Sequence, residues 1–397
     1  MKKFLATILT VAMTASLVAC GSAATENTDA AAETEVTETT ESTDAAAAEA
    51  TEDGLKIAIV SSPSGVDDGS FNYDNYQGIL TFIDENPGAV VTPIQETTGD
   101  SAAAIQAVAD VVADYDVIVC CGFQFSGIGD FAAENPDTKF ILIDSWPTVE
   151  GTELAADAPI ENVYACYFAE QESGFYAGMA AALTTKTGKV ASVHGIAYPS
   201  NVNYQYGFEC GVKYANETEG LNVEVVELPS YAGTDVTGAN VGGNYVGSFA
   251  DEATGKVVAE ALIAEGVDIM FVAAGGSGNG VFTAAKEGTD IYVIGCDADQ
   301  YDDGANGDKN VVLTSALKVM HLVNYNQLNA IKDGSFAGAN VTLNATGDYT
   351  GYISAEGRNQ LSADVIAKID AAQALVKDGT IVPAANFNGV TPETFTW

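Results

Sequence analysis

Positively charged side chains are scarce in this sequence. The 397 residues include 15 Lys and Arg against 55 Asp and Glu, which gives a formal net charge of −40 at pH 7. A surface this acidic repels nucleic acid, because nucleic-acid binding depends on Lys and Arg contacts to phosphates. We therefore expect no nucleic-acid partner, and a highly anionic ligand would need a locally basic site.

Catalytic signatures are also lacking. The only histidines are His194 and His321, and neither has a triad partner or a metal-ligand companion nearby in the sequence. We interpret both as core or surface residues. The sequence contains no G-x-S-x-G motif and no Walker phosphate-binding loop. It therefore predicts no enzyme activity, no cofactor and no metal site.

Cysteine is infrequent, and without Cys20, which is discussed below, an odd number of five remains. The other five lie mostly in apolar runs and do not have the spacing of metal ligands. We expect them to be small buried residues and not a disulfide framework. They are Cys120, Cys121, Cys166, Cys210 and Cys296.

One long apolar run stands at the start of the chain, over residues 4–18, directly after Lys2 and Lys3. It is too short to span a membrane and has the features of a secretory signal peptide. It ends in Leu-Val-Ala-Cys at Cys20, which resembles the bacterial lipobox, whose cysteine thiol receives a diacylglycerol. We predict a signal peptide over 1–19 and lipidation of Cys20, which would hold the protein on the extracytoplasmic face of the cell membrane. The alternative is an ordinary signal peptide with a chance cysteine.

The stretch that follows, residues 20–53, has no capacity to form a core. After Cys20 it consists mainly of Ala, Thr, Glu, Asp and Ser, with ten acidic residues and no basic one. Such a segment repels itself and cannot bury enough apolar surface to fold. We predict a disordered acidic tether.

The remaining chain alternates apolar strand patterns with helical patterns. Near-continuous apolar strands of this kind suit parallel sheets covered on both faces, and the alternation predicts an α/β fold. Ten strands exceed one compact sheet of this size, so we predict two doubly wound lobes, with ligands bound outside the carboxyl ends of the strands. The predicted strands are 56–60, 90–94, 116–121, 139–143, 163–167, 189–194, 222–227, 268–273, 291–295 and 311–315. Helices are predicted from 71 onward and at 101–113, 174–184, 204–216, 252–264 and 318–332.

Four features lie at such strand ends. Phe71 is an aromatic residue placed where a strand gives way to a helix. The segment AAGGSGNG at 273–280 lacks the G-x-G-x-x-G spacing of a dinucleotide site; it either presents backbone N–H groups to a small polar ligand or is a plain turn at a helix start. Asp297 is placed to accept sugar hydroxyl hydrogens or to cap a turn. Lys318 is either a ligand donor or a surface residue that balances charge.

The acidic run 297–308 departs from a calcium loop, because Asp302 occupies the position that needs glycine.

Seven segments, which run across nearly all of the chain after the tether, resemble the basic membrane protein family, the PnrA-like nucleoside-binding lipoproteins of ABC importers. Two of them, DDGSFN within the first and EQESGFYAGMAAAL within the fourth, are the most specific. The segments are DDGSFNYDNYQGI (67–79), VIVCCGFQFS (117–126), KFILIDS (139–145), YFAEQESGFYAGMAAAL (167–183), YVGSFADEATGK (245–256), FVAAGGSGNGVFTAA (271–285) and VIGCDADQ (293–300).

The resemblance implies the type I periplasmic-binding-protein fold, in which two Rossmann-like lobes joined by three crossovers enclose a ligand cleft. We place the first lobe at 54–168 plus about 297–335, and the second at 169–296 plus about 336–397. It also implies a purine nucleoside as the small-molecule ligand, the permease subunits of an ABC transporter as partners, and no catalysis.

The family's functional positions can be carried onto this chain residue by residue. The nucleobase is expected between two aromatic rings, which fall on Phe71 and Phe249, with the amide of Asn72 at the base edge. The remaining ligand-binding positions include the aspartate that closes the fourth strand and the expected ribose contacts. The aspartate is Asp144, and the expected ribose contacts are Gly276, Ser277, Asp297 and Lys318. Asp68 and Phe123, from two of the quoted segments, are also predicted to bind the ligand.

One position departs from the family pattern. Ser62 stands where the family usually has an aspartate just after the first strand, so a carboxylate that would accept a hydrogen bond from the ligand is missing. This leaves open a different flat ring ligand, such as a flavin. It also leaves open a ligand-sensing lobe for a separate signalling partner and, less favoured by the residues, a nucleoside-processing enzyme.

Overall fold

The computed structural model describes residues 54–386 and 388–397. The predicted signal peptide, the predicted lipidation site at Cys20 and the predicted tether lie outside the described residues. Among the helices that are described, none is both long and apolar enough to cross a membrane.

Twelve strands of the described chain form two main sheets, and nine α-helices surround them. In chain order the strands are β1 Lys56–Ser61, β2 Val90–Gln95, β3 Val117–Cys121, β4 Lys139–Ile143, β5 Val163–Phe168, β6 Lys189–His194, β7 Glu224–Val225, β8 Ile269–Ala273, β9 Tyr292–Asp297, β10 Val312–Lys318, β11 Ala339–Leu343 and β12 Thr350–Tyr352. The helices are α1 Phe71–Glu85, α2 Ser101–Ala109, α3 Ile128–Glu134, α4 Glu170–Thr184, α5 Pro199–Glu219, α6 Glu252–Ala264, α7 Gly278–Glu287, α8 Met320–Lys332 and α9 Ala363–Lys377.

Each sheet has six strands. The first has the order β11-β5-β4-β3-β1-β2 and the second has the order β12-β10-β9-β8-β6-β7. The pairs are parallel except that β12 runs antiparallel to β10. Strands β3 and β8 are buried at all five positions, which accounts for their unbroken apolar sequences. The prediction of two doubly wound parallel sheets is confirmed.

The positions of the crossovers differ from the sequence-based division. That division assigned residues 297–335 to the first lobe and 336–397 to the second. Instead, β10 pairs with β9 in the second sheet and β11 pairs with β5 in the first. The chain therefore crosses between lobes after β5, after β10 and between β11 and β12. Hydrophobic periodicity identifies a strand but not its neighbour, and the strands over 339–343 and 350–352 were not predicted.

Helices α4 and α5 pack with their backbones in contact, because glycines face each other across the interface. A Cβ atom added to Gly178 would lie 2.1 Å from the backbone oxygen of Phe208, and one added to Gly211 would lie 2.1 Å from that of Phe175. No side chain fits at such distances. This explains the small residues in the segment 170–183, and it fixes the first turn of α4 beside α5 at the edge of the cleft.

Candidate functional site

A cleft lies between the carboxyl ends of the two sheets, with about 520 Å³ of space between protein atoms, part of it open to solvent. Nine of the eleven ligand-binding residues predicted from the sequence line it, whereas Gly276 and Ser277 do not. The nine are Ser62, Asp68, Phe71, Asn72, Phe123, Asp144, Phe249, Asp297 and Lys318.

Phe71 is the first residue of α1, and the loop before it is held by Asp68. The carboxylate of Asp68 accepts hydrogen bonds from the backbone N–H groups of Ser70, Asn72 and Tyr73, at 3.0, 3.1 and 2.9 Å. Burial raises the pKa of Asp68, and these N–H groups counteract that rise. Asp68 therefore caps the helix and positions Phe71. The centroid of the Phe71 ring lies 4.9 Å from the ammonium nitrogen of Lys318.

Asn72 is fully buried, and its amide is used within the protein. Nδ2 donates to Oγ of Ser62 and to Oδ2 of Asp68, both at 2.8 Å, and Oδ1 accepts from the backbone N–H of Ser62 at 3.3 Å. Both amide hydrogens thus have partners in this structure. Asn72 connects the loop after β1 to the start of α1, and Ser62 supplies an acceptor for it.

An aromatic row crosses the cleft from one lobe to the other. The ring centroids of Phe123 and Tyr198 lie 5.2 Å apart, and those of Tyr198 and Phe249 lie 5.9 Å apart. Phe123 follows β3 in the first lobe, whereas Tyr198 and Phe249 belong to loops of the second. Together with Phe71, these rings give the cleft its apolar surface.

The glycine-rich turn 273–280 supports the loop that carries Phe249. Ser277 is fully buried, and its hydroxyl donates to the carbonyl of Ser248 and accepts from the N–H of Asp251, both at 2.8 Å. Its backbone N–H also donates to the carbonyl of Phe249 at 3.0 Å. Ser277 therefore positions Phe249, while Gly275 from the same turn lines the cleft.

Two aspartates occupy equivalent places in the two lobes. Asp144 directly follows β4 and Asp297 ends β9, and these strands have the same position in their respective sheet orders. Their φ angles are 65° and 69°, in the left-handed region. Such a conformation costs on the order of 1 kcal/mol for a residue with a side chain and persists where the surroundings enforce it. Both carboxylates are thereby directed into the cleft.

The cleft contains a buried charge network centred on Lys318. Its ammonium lies 2.6 Å from Oδ2 of Asp144 and 3.3 Å from Oε1 of Glu170. Asp297 accepts from the hydroxyls of Tyr204 at 2.8 Å and Ser70 at 3.0 Å. Asp144 and Ser70 belong to the first lobe, whereas Lys318 and Asp297 belong to the second. These contacts therefore hold the lobes together across the cleft.

Burial and charge act in opposite directions on these groups. Burial raises the pKa of Asp144 and raises that of Glu170 to about 7, while the charge of Lys318 counteracts both shifts. For Lys318, burial alone would lower the pKa, but Asp144, Glu170 and Asp297 together raise it above its ordinary value. Lys318 is therefore charged, and it is a buried cleft residue and not a surface residue.

One group of lining residues was not selected from the sequence and consists of Tyr198, Ser200, Asn201 and Tyr204. All belong to the segment 195–204, which follows β6 and opens α5. The rule that ligands bind at the carboxyl ends of strands applies there equally, so the signal was present. Glu170 was also missed, although it lies within the quoted segment 167–183.

The other candidate features lie away from the cleft. His194 is fully buried, and burial lowers its pKa to about 3, while His321 pairs with Asp74 on α1. Asp299 and Asp302, in the acidic run 297–308, pair with Arg358. Across the part of the chain that the structure describes, no group of side chains forms a metal site.

The prediction for the five body cysteines is confirmed. All five are buried and unpaired, so none contributes to a disulfide framework. Their thiols fill space in the apolar interior, as expected for small buried residues.

Known proteins are similar to this chain in sequence. The model of the PnrA-like ABC transporter substrate-binding proteins matches residues 55–236 and 231–385. The chain is 28% identical over 341 residues to the CD4+ T-cell-stimulating antigen of Listeria monocytogenes, covering 82% of this chain and 87% of that protein. It is 29% identical to the ABC transporter nucleoside-binding protein BmpA of Lactococcus lactis (72% and 78% covered) and 30% identical to basic membrane protein A of Borreliella burgdorferi (68% and 71%).

Solved structures agree on the fold. A solute-binding protein of an ABC transporter system from Aeropyrum pernix has a TM-score of 0.67 at 23% identity, covering 84% of this chain and 94% of that one. A second, from Conexibacter woesei, has a TM-score of 0.60 at 20% identity, covering 84% and 99%. The two lobes thus have the type I periplasmic-binding-protein fold. The chain belongs to the family of PnrA-like ABC transporter substrate-binding proteins, the basic membrane protein family.

Proposed function

We propose that this substrate-binding protein is a lipid-anchored receptor on the extracytoplasmic face of the cell membrane, which binds a purine nucleoside and presents it to the permease of an ABC importer. One observation carries the ligand assignment. Phe71 and Phe249, from opposite lobes, line a single cleft that also contains Asp297 and Lys318. Flat apolar surfaces beside a carboxylate and an ammonium suit a ligand that joins an aromatic base to a sugar.

The rings and the charged groups have separate tasks. Lys318 lies over one face of the Phe71 ring, so a base would stack on the remaining aromatic surface. Stacking of this kind contributes about 1–3 kcal/mol per base. Oδ1 of Asp297 accepts from the Tyr204 hydroxyl and the Cys296 thiol, and Oδ2 accepts from the Ser70 hydroxyl. A carboxylate has about four lone-pair sites, so Oδ2 keeps one for a ribose hydroxyl. The name of the Lactococcus lactis relative, a nucleoside-binding protein, agrees with this assignment.

A binding role also fits the chemistry of the cleft better than an enzymatic one. Cys121 and Cys296 line the cleft, but burial raises the pKa of both thiols, so neither is present as a nucleophilic thiolate. Oδ2 of Asp144 and both oxygens of Asp297 already have partners in the network. Incubation with inosine, guanosine or adenosine, with and without phosphate, should leave each nucleoside intact.

A second ligand class is favoured by two features of the same cleft. Ser62 provides a hydroxyl in place of the family carboxylate, and Tyr198 extends the aromatic surface beyond a two-ring clamp. Both suit a larger flat ring system, such as a flavin. Calorimetric titration with purine nucleosides, their free bases, ribose and riboflavin distinguishes the two ligand classes. Tight binding of riboflavin with no binding of nucleosides would replace the first assignment with the second.

The lipid anchor has its own test. Cys20→Ala should release the protein from the membrane or leave it with an uncleaved signal peptide. A Cys20→Ala variant that is still cleaved and still partitions with detergent would contradict the anchor.

A further inference from the structure

The first turn of α4 lies where the crossovers meet. Glu170 contacts Lys318, the last residue of β10 before the second crossover. The hydroxyl of Ser173 donates to the carbonyl of Leu317 at 2.7 Å and accepts from the N–H of Gly351, on β12, at 3.0 Å. Glu170 is therefore fixed to the hinge region of the molecule, while Asp144 reaches the same ammonium from the other lobe.

The charges in this network do not balance. The side chains of Lys318, Asp144 and Glu170 are 2%, 5% and 0% exposed, so one buried ammonium faces two buried carboxyl groups. The second oxygen of Glu170 accepts from the neutral amide of Asn203 at 3.0 Å. An unpaired buried carboxylate costs several kcal/mol, and a bound proton removes that cost. Oδ1 of Asp144 is buried and has no hydrogen-bond partner among the described residues, which leaves a site for a proton.

Neighbouring elements do not supply a second positive charge. The titratable groups that face the network are the carboxyl of Asp297, the phenol of Tyr204 and three thiols. Asp297 adds a further negative charge. Burial raises the pKa of Tyr204 and of each thiol, so these groups are neutral. The thiols belong to Cys121, Cys166 and Cys296.

We propose that closure of the lobes around a ligand takes up one proton from solvent, which Glu170 and Asp144 share, and that Glu170 is the positioning residue that couples Lys318 to this proton. The inference rests on the proposed binding function of the cleft. Separation of the lobes would move Asp144 away from Glu170 and into water, where each carboxylate is stable without a proton. Closure brings both to one ammonium, as in this structure. The pKa of about 7 for Glu170 agrees with a proton that is bound below neutral pH and released above it.

The direction of the pH dependence follows from linkage. Because the closed state holds the proton more tightly than the open state, the bound protein carries more protons at pH values between the two pKa values. Ligand affinity should therefore rise as the pH falls through about 7, by up to about tenfold per pH unit for one proton. It should level off near pH 4, where carboxyl groups in water are themselves protonated.

Calorimetry tests this with inosine, guanosine and adenosine between pH 6 and pH 8.5. The wild-type affinity should increase toward pH 6, and Glu170→Gln should remove most of that increase. The matched control is Glu209→Gln, because Glu209 is a partly buried glutamate on α5 whose pKa burial likewise raises to about 7, but it lies outside the cleft. The control should keep the wild-type slope. A pH-independent wild-type affinity, or a slope that persists in Glu170→Gln, would overturn the proposal.

A ligand-free measurement keeps the proposal separate from the nucleoside assignment. Ser64 and Gly276, from opposite lobes, lie close together beside the cleft, and a Cβ on Gly276 would lie 3.1 Å from the carbonyl oxygen of Phe249 and 3.2 Å from the Cβ of Ser64. This is near the separation of about 3.5–4.5 Å in a disulfide, so Ser64→Cys with Gly276→Cys should lock the lobes closed on oxidation. At pH 7 the locked protein should show an infrared carbonyl band of a protonated carboxyl group that is lost when Glu170→Gln is added and kept when Glu209→Gln is added, because Glu209 contributes its own band.

If no nucleoside binds but the band that depends on Glu170 is present, the proposed ligand is wrong and the proton inference stands. If nucleosides bind but the band is absent, the proton inference is wrong and the binding function stands.

Discussion

Replacement of Lys318 by methionine tests the charge network most directly. Lys318→Met keeps the length and apolar stem of the side chain but removes the only cation that contacts Asp144 and Glu170 in the described structure. Because both carboxyl groups are buried, solvent compensates poorly for the lost cation. Removing one member of a buried ion pair costs about 3–5 kcal/mol. We expect the lower end, about 3 kcal/mol, because one of the two groups already holds a proton in the wild-type cleft.

The loss should depend on pH with a definite sign. In the variant, burial without a cation raises the folded-state pKa of Asp144 and Glu170 further above their unfolded values. A carboxyl group with a raised folded-state pKa carries no penalty below its unfolded pKa, near 4. The penalty grows as the pH rises from the unfolded to the folded-state pKa and is constant above that. The difference in melting temperature between wild type and Lys318→Met should therefore be small at pH 5. At pH 8 it should reach about 6 °C or more.

Differential scanning calorimetry at the two pH values measures this difference. Lys256→Met is the matched control, since Lys256 also contacts two glutamates, Glu260 and Glu287, but on the exposed surface of α6. Solvent screens such pairs, so the control should melt close to the wild-type temperature at both pH values. An equal shift for Lys318→Met at pH 5 and pH 8, or no shift at either, would refute the assignment of a buried, unbalanced network.

Three further predictions concern the cleft and its support. Phe71→Ala should weaken the binding of both a nucleoside and its free base by about 1–3 kcal/mol through lost stacking, whereas Asp297→Ala should weaken mainly the binding of the nucleoside. If calorimetry shows equal losses for base and nucleoside in Asp297→Ala, Asp297 does not belong to the ribose site. Gly211→Ala should lower the stability of the second lobe by about 1–3 kcal/mol because its Cβ would overlap backbone, while Gly127→Ala, where the nearest atom is 3.6 Å away, should melt near wild type. Since the five body cysteines are unpaired, a reductant should leave the melting temperature unchanged, and a drop of more than about 5 °C, on the order of 1 kcal/mol, would contradict this.

Local sequence determined much of this protein. The unbroken apolar runs at 117–121 and 269–273 predict buried parallel strands, because a strand covered on both faces has no polar side to show. The position of Phe71 after such a strand predicts an aromatic ring at the mouth of a cleft, since ligands of doubly wound sheets bind there. The scarcity of basic residues made Lys318 conspicuous before its surroundings were known.

Tertiary structure decided which polar groups are free and which are already used. Asn72 and Ser277 have the chemistry of ligand contacts, but their hydrogen bonds hold the loops that present Phe71 and Phe249. Only the folded chain shows this, because hydrogen-bond satisfaction depends on neighbours that periodicity does not specify. The strand that ends in Lys318 lies in the second sheet for a similar reason, because periodicity identifies a strand but not the strand beside which it lies.

The partnership of Asp144, Glu170 and Lys318 is the clearest case. Asp144 and Lys318 are separated by 174 positions in the sequence and lie in different lobes, yet their charged atoms meet at 2.6 Å. The sequence determined that an acid and a base stand at strand ends. Only the folded chain buries them together between the lobes, and that burial makes two carboxyl groups around one ammonium a site for a proton.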